Sequence, residues 1–161
     1  MPNDVTPRSS DAILAIARRV LLLILLLGMF GILVELLLVE HFEDAWQFVP
    51  LVLLTLGLVV IPWHARAPGR ASARALRALM SLCLLAGLIG IFLHYRGNRE
   101  FELEQTPNAS EWELFRESVM GGTPALAPGV MIQLGLLGLL FGYLPAPPRL
   151  SGGRRGVPEE A

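Results

Sequence analysis

Residues 20–39 read VLLLILLLGMFGILVELLLV, follow directly on Arg18 and Arg19, and decide the fold of this chain. As an α-helix these twenty residues extend over about 30 Å, the thickness of the hydrocarbon core of a bilayer. Apolar residues occupy every angular position of that helix except that of Glu35, so no polar face can turn to water. The stretch therefore predicts a membrane-spanning helix. It is longer than the apolar core of a signal peptide, so we expect it to be retained.

Three further apolar runs follow, at residues 46–63, 76–95 and 124–144. Each is long enough to cross a bilayer as a helix. The first of them has Trp46 and Trp63 at its ends, as expected where a helix meets the two membrane–water interfaces. We therefore predict an all-α polytopic membrane protein, with four transmembrane helices forming one domain over residues 18–144.

Polar tails flank the predicted domain. Residues 1–17 form a polar N-terminal tail, in which Asp11 can cap a helix that runs into the first span. Residues 145–161 are rich in Pro, Gly and Arg, and we expect them to be disordered. Cys83, the only cysteine, lies inside the third span, which predicts a buried thiol and excludes a disulfide within the chain.

Charge is distributed unevenly between the two ends of the spans, although the formal net charge is only -1. Four spans place both tails and the loop between the second and third spans on one side, which then carries ten of the thirteen basic residues. The other side carries Arg96, Arg99 and Arg116 beside nine acids. The positive-inside rule therefore predicts a multi-pass protein of the inner (plasma) membrane with both termini cytoplasmic.

Glycines recur within the spans, and lipid provides no hydrophobic force between helices, so small residues are where spans can approach closely. We expect packing at Gly28, Gly31, Gly87, Gly90, Gly135, Gly138 and Gly142. The last two form a GxxxG motif. Packing within one four-helix bundle is our interpretation of this pattern, and homodimerisation through the motif is the alternative.

Glu35, His41 and His94 are the candidate ligands of this sequence. Glu35 is the one acid inside a predicted span, about one turn from its outer end, and we expect it to face the bundle. Both histidines fall in the same outer layer, whereas His64 lies at the opposite side. Imidazoles with a carboxylate can bind a divalent metal, and two imidazoles alone can ligate haem. The spacing matches no H-x-x-x-H or H-E-x-x-H motif, so solvated side chains are the alternative, and we predict no cofactor.

The outer loop, residues 96–123, contains two predicted segments. Arg96-Gly97-Asn98 predicts a turn, after which residues 99–105 alternate charged and apolar side chains as an extended segment does; a helical extension of the third span is the alternative. Ser110-Glu-Trp-Glu113 is a capping box. Trp112, Phe115 and Val119 follow at helical spacing, which predicts a short amphipathic interfacial helix that can also serve as a lid or a docking face.

The last two spans and their loop resemble small uncharacterised bacterial integral membrane proteins with four spans. The residues that carry the resemblance are His94-Tyr-Arg-Gly-Asn98, Glu100-Phe-Glu-Leu-Glu104, Trp112-Glu-Leu-Phe115 and Gly122-Thr-Pro-Ala-Leu-Ala-Pro-Gly129. The resemblance implies a bacterial membrane location and assigns no activity and no functional residue.

Few polar side chains are available inside the predicted spans, namely Glu35, Thr55, Ser81 and Gln133. A path for ions or polar substrates needs more than these, and no nucleophile and base occur at matched spacing. We therefore predict a non-enzymatic accessory or interaction subunit, whose partners are the lipid bilayer and another membrane protein or a second copy, without nucleic acid. A small transporter or ion-binding subunit using Glu35, His41 and His94 is the alternative.

Overall fold

The computed structural model describes residues 7–42, 44–120 and 126–145, and this part of the chain forms helices without any β-strand. The all-α prediction is therefore confirmed for these residues. The helices are α1 (Pro7–Leu38), α2 (Phe48–Arg66), α3 (Arg70–Gln105), α4 (Glu111–Met120) and α5 (Gly129–Tyr143), with one 3-10 turn at Ala45–Gln47 before α2.

Three helices in the described part of the chain are long and apolar enough to cross a membrane. They lie at Ser10–Leu38, Ala45–Arg66 and Arg70–Gln105, and they correspond to the first three predicted spans. The fourth apolar helix, α5, has only 15 residues. It rises about 22 Å, less than the usual length of a span. The start of the predicted fourth span, residues 124 and 125, lies outside the described residues.

Two helix boundaries differ from the prediction. α1 begins at Pro7, before the expected cap at Asp11, since proline suits a first helical turn, where its missing N–H has no partner to lose. α3 continues through Arg96, Gly97 and Asn98 to Gln105, so the predicted turn and extended segment are wrong and the helical alternative is correct. An ion pair one turn apart, from Arg96 Nε to Glu100 Oε1 at 2.8 Å, is compatible with this extension.

α3 and α5 form the most extensive helix pair, and they run antiparallel. A Cβ atom added at Gly135 would lie 2.8 Å from Met80 O, and one added at Gly87 would lie 2.9 Å from Ile132 N. Such distances are shorter than real Cβ contacts, and the neighbouring atoms belong to the backbone, which cannot move aside as a side chain can. Glycine is therefore required where these two helices touch.

The other predicted packing glycines fall into two groups. A Cβ atom at Gly28 would meet Leu134, one at Gly90 would meet Pro128, and those at Gly138 and Gly142 would meet Met80 and Leu76. The GxxxG motif thus faces α3 of the same chain. Gly31 is different, because a Cβ atom there would have nothing within 4 Å.

The bundle has a narrow core and an apolar exterior. Leu25, Met29, Leu54, Met80 and Phe141 are fully buried between the helices. Large apolar side chains of α1, α2 and α3 remain exposed along their whole outward faces, and at most 33% of each span is buried inside the protein. Such surfaces are compatible with contact to lipid chains, whereas in water they would promote aggregation. We call the end of the bundle that holds Arg18, His64 and Arg77 the arginine end, and the end that holds His41 and His94 the histidine end.

Gly135→Leu tests the backbone contact between α3 and α5, with Gly31→Leu as the matched control in another span. Gly135→Leu should lower the free energy of unfolding by about 2 kcal/mol, because the side chain would collide with backbone atoms of α3. Gly31→Leu should change it by less than about 0.5 kcal/mol. The measurement is unfolding of the purified protein in mild detergent by added SDS. Equal losses in the two variants would contradict the packing described here.

Candidate functional site

Five polar side chains are buried in the described part of the chain: Arg18, His64, Ser72, Asn98 and Ser118. They occur in two clusters, one at the arginine end and one beyond the histidine end. Between them the buried side chains are apolar. The chemistry of the bundle is therefore concentrated at its two ends.

Arg18 of α1 forms hydrogen bonds to the C-terminal end of α5. Its side chain is only 7% exposed, and Nη1 donates hydrogen bonds to Phe141 O at 3.1 Å and Leu144 O at 2.6 Å. The guanidinium carbon also lies 4.2 Å from the centre of the Phe141 ring. The last carbonyls of a helix lack partners within it and carry partial negative charge, so a cation there is favourable. The Arg18 side chain therefore caps the C-terminus of α5 from another helix.

The side chains of His64 and Ser72 stabilise the turn between α2 and α3. The Ser72 hydroxyl donates to Ala67 O at 2.9 Å and accepts from the Gly69 N–H at 3.1 Å. His64 Nδ1 lies 3.1 Å from the same oxygen. The two side chains are thus within hydrogen-bond distance, and the imidazole tautomer sets which of them donates. The other side of the imidazole meets the Phe141 ring edge to face, at 6.0 Å between centroids.

The residues of the arginine end were not identified from the sequence. The sequence shows Arg18 only as a neighbour of Arg19 before the first span, and it places His64 on the opposite side from the candidate ligands. Arg19 is exposed while Arg18 is buried, because residues one apart differ by about 100° around a helix. Only the position of α5, which no sequence pattern gives, distinguishes the two arginines.

At the histidine end the structure brings His41 and His94 together, with 6.1 Å between ring centroids. α1 ends in a Schellman motif, in which the His41 N–H donates to Leu36 O at 2.9 Å and Glu40 adopts a positive φ of 52°. This turn directs the chain from the end of α1 back toward α3. His41 therefore reaches His94 although α1 itself ends three residues earlier, at Leu38.

Glu35 does not join the two histidines. We expect it to face the bundle, whereas its side chain is exposed. The interior between the spans is apolar, whereas a carboxylate one turn from a helix end can extend to the headgroup layer. Within the described residues, no group of three or more His, Cys, Asp or Glu side chains could hold a metal ion.

Beyond the histidine end, α4 packs antiparallel against the extension of α3; we call residues 96–120 the outer hairpin. Asn98 Nδ2 donates to Ser118 O at 2.9 Å, and Leu114 is buried. Of the predicted interfacial residues, Trp112 and Phe115 are exposed and stack at 5.8 Å, while Val119 is half-buried. Leu114 and Ser118 are therefore the residues of α4 that are buried against α3.

A small cavity lies in the outer hairpin between α3 and α4. Its volume is about 40 Å³, and its lining includes Glu102, Glu113 and Leu114. This volume holds at most a few water molecules and is too small for an organic cofactor.

These features define a class of protein: its described residues form only helices and turns, three of the helices are long and apolar enough to cross a membrane, and the buried polar groups lie toward the two ends of the bundle. The chain has no significant match to any protein-family model, curated protein or solved structure searched. The resemblance to small bacterial membrane proteins therefore stays a prediction.

Arg18→Gln and Arg19→Gln form a matched pair of neighbouring arginines. Arg18→Gln should lower the free energy of unfolding by about 2 kcal/mol, since it removes charged hydrogen bonds to two buried carbonyls. Arg19→Gln should leave it within about 0.5 kcal/mol of the parent, because that side chain is exposed. SDS-induced unfolding in mild detergent measures both. If Arg19→Gln lowers the free energy of unfolding as much as Arg18→Gln does, the positive charge stabilises the protein and the contacts of Arg18 with α5 do not.

Glu40→Gly tests the turn that brings His41 to His94. Glycine has no Cβ and adopts positive φ without strain, so the variant should gain about 1 kcal/mol in unfolding free energy. Glu40→Ala removes the same carboxylate but keeps the Cβ, and it should show no such gain. If both variants gain equally, the loss of charge, and not the backbone conformation, is responsible.

Proposed function

We propose that this chain is a non-enzymatic integral protein of the inner membrane that acts as an accessory or interaction subunit. The observation that carries this proposal is the placement of polar groups. Four polar residues lie more than two positions inside the predicted spans, and all four are exposed on the outside of the bundle: Glu35, Thr55, Ser81 and Gln133. A route for ions or polar molecules needs a polar lining that faces inward, so this arrangement favours an interaction role over transport.

We further propose four spans, with α5 and the turn before it making the fourth crossing. Gly142 lies at the level of Leu76 and Arg77 of α3, and Pro128 lies at the level of Gly90. This part of the chain thus covers most of the apolar run of α3. Four crossings place the arginine end and both tails on the cytoplasmic side, in agreement with the positive-inside rule.

The outer hairpin is the proposed interaction element, and we place α4 in the outer interfacial layer. The Phe115 ring lies 6.2 Å from that of Tyr95, the aromatic residue at the end of the third predicted span. Tyrosine is enriched at the headgroup level, so this contact supports the same level for Phe115. Trp112, 72% exposed, and Phe101 extend the aromatic surface toward another membrane protein or a second copy of the chain.

An ion-binding subunit remains the second candidate function, and one observation favours it. The rings of His41 and His94 are close enough for both imidazoles to take part in one site. Glu35 lies apart from them, so such a site would consist of the two histidines with water or a partner's ligand.

Metal analysis and an absorption spectrum of the purified full-length protein distinguish the two functions. The accessory role predicts no stoichiometric metal, no Soret band, and no proton or cation flux into proteoliposomes above that of protein-free vesicles. His41→Ala/His94→Ala should then match the parent in all three assays. Stoichiometric metal, a Soret band or a flux that this double variant abolishes would replace the accessory role by the ion-binding one.

A further inference from the structure

Three arginines form one basic face at the start of α3. Arg70, Arg74 and Arg77 follow one another at spacings of four and three residues, which places them within an arc of about 60° of the helix surface. Arg70 and Arg74 are exposed and Arg77 is half-buried. We call these three residues the α3 basic face. Arg66, in the last turn of α2, adds an exposed fourth charge nearby.

The α3 basic face is not neutralised by the described part of the chain. The salt bridges there are Arg96–Glu100 and Arg116–Glu117, both in the outer hairpin, and the sequence between residues 62 and 78 contains no acid. The N-terminus of α3 adds the partial positive charge of a helix start. A concentrated positive charge at the edge of a membrane is therefore available to an anionic ligand.

The side chains of Arg74 and Arg77 in the α3 basic face are held in position by the backbone. Arg74 Nε donates to Arg70 O, and Arg77 Nε donates to Ala73 O, each at 3.3 Å. Both bonds direct the side chain back toward the start of the helix, away from the hydrocarbon core. They use Nε, whereas the paired Nη groups are those that can contact a phosphate in a bidentate manner. The Arg77 guanidinium carbon also lies 5.6 Å from the centre of the Tyr143 ring.

The same side of α3 continues into a lipid-facing stripe. Leu85, Leu88 and Phe92 follow Arg77 at intervals of 8, 11 and 15 residues, so they lie close to the arc of the basic face. All three are more than half exposed. At the rise of an α-helix, the apolar stripe begins about 12 Å from the α3 basic face. A phospholipid has the same arrangement, with a charged headgroup next to its acyl chains.

We infer that this surface binds an anionic phospholipid. The guanidinium groups of the α3 basic face hold the phosphate, and the acyl chains lie along Leu85, Leu88 and Phe92. A zwitterionic lipid brings its own cation next to the phosphate, so the surface selects lipids with net negative charge, such as phosphatidylglycerol. The inference requires α3 in a membrane but neither the interaction role nor the orientation proposed above, so each can fail without the other.

Native mass spectrometry of the full-length protein in mild detergent tests the inference, with phosphatidylglycerol and phosphatidylcholine of equal chain length as probes. The parent should bind phosphatidylglycerol roughly tenfold more tightly than phosphatidylcholine, as expected for several arginines near one anionic head. R70Q/R74Q/R77Q should bind the two lipids equally. The matched control is R96Q/R99Q/R116Q, which removes the same number of arginines from the outer hairpin and should keep the parent's preference.

Several outcomes would overturn the inference. These are equal binding of both lipids by the parent, an unchanged preference in R70Q/R74Q/R77Q, or an equal loss in the matched control. Binding of inorganic phosphate as tight as that of phosphatidylglycerol would also do so, because it would show that the acyl stripe contributes nothing. The single variants R70Q and R74Q, both at exposed positions, should each lose part of the preference, and they provide the test if the triple variant does not fold.

Discussion

Close contact between the backbones of α3 and α5 is the constraint on which the rest of this structure depends. Lipid chains are as apolar as the side chains of the spans, so burial alone gives the helices no reason to associate. Association must come from close packing, and Gly87 and Gly135 permit it because the opposite helix places backbone atoms where a Cβ atom would be. α5 is short and leaves its terminal carbonyls near the bundle. The remaining helices are arranged around this pair.

The need to satisfy polar groups in an apolar medium explains why the buried polar residues lie at the two ends. The last carbonyls of α5 would be costly without partners, and Arg18 of α1 supplies both charge and hydrogen bonds to them. Asn98 plays a comparable part in the outer hairpin, where it bonds the backbone of α4 at Ser118. The middle of the bundle holds no such group among the described residues, and that apolar centre supports the proposed interaction role over transport.

Much of the fold follows from composition and periodicity, because a span must be apolar over about twenty residues whatever its neighbours are. The predictions that failed depended on those neighbours. Residues 99–105 alternate like a strand over too few positions to outweigh the continuation of α3. The sequence predicts that Glu35 faces inward, but the described interior of the bundle provides no polar partner for it. For α4, the predicted apolar face of Trp112, Phe115 and Val119 gives no indication that Leu114 and Ser118 are the residues buried against α3. His41 and His94 illustrate the opposite case, because the sequence places both in one outer layer and their ring centroids lie 6.1 Å apart.

Cysteine labelling of intact cells tests the four-span account most directly, because α5 is the helix whose crossing rests on its packing with α3. Thr106→Cys, Ala71→Cys and Ala161→Cys are each introduced alone into a Cys83→Ala background and treated with a reagent that cannot cross the membrane. The account predicts labelling of Thr106→Cys in intact cells, and labelling of Ala71→Cys and Ala161→Cys only after the cells are opened. Labelling of Ala161→Cys in intact cells, together with Thr106→Cys, would show that α5 does not cross the membrane and would contradict the account.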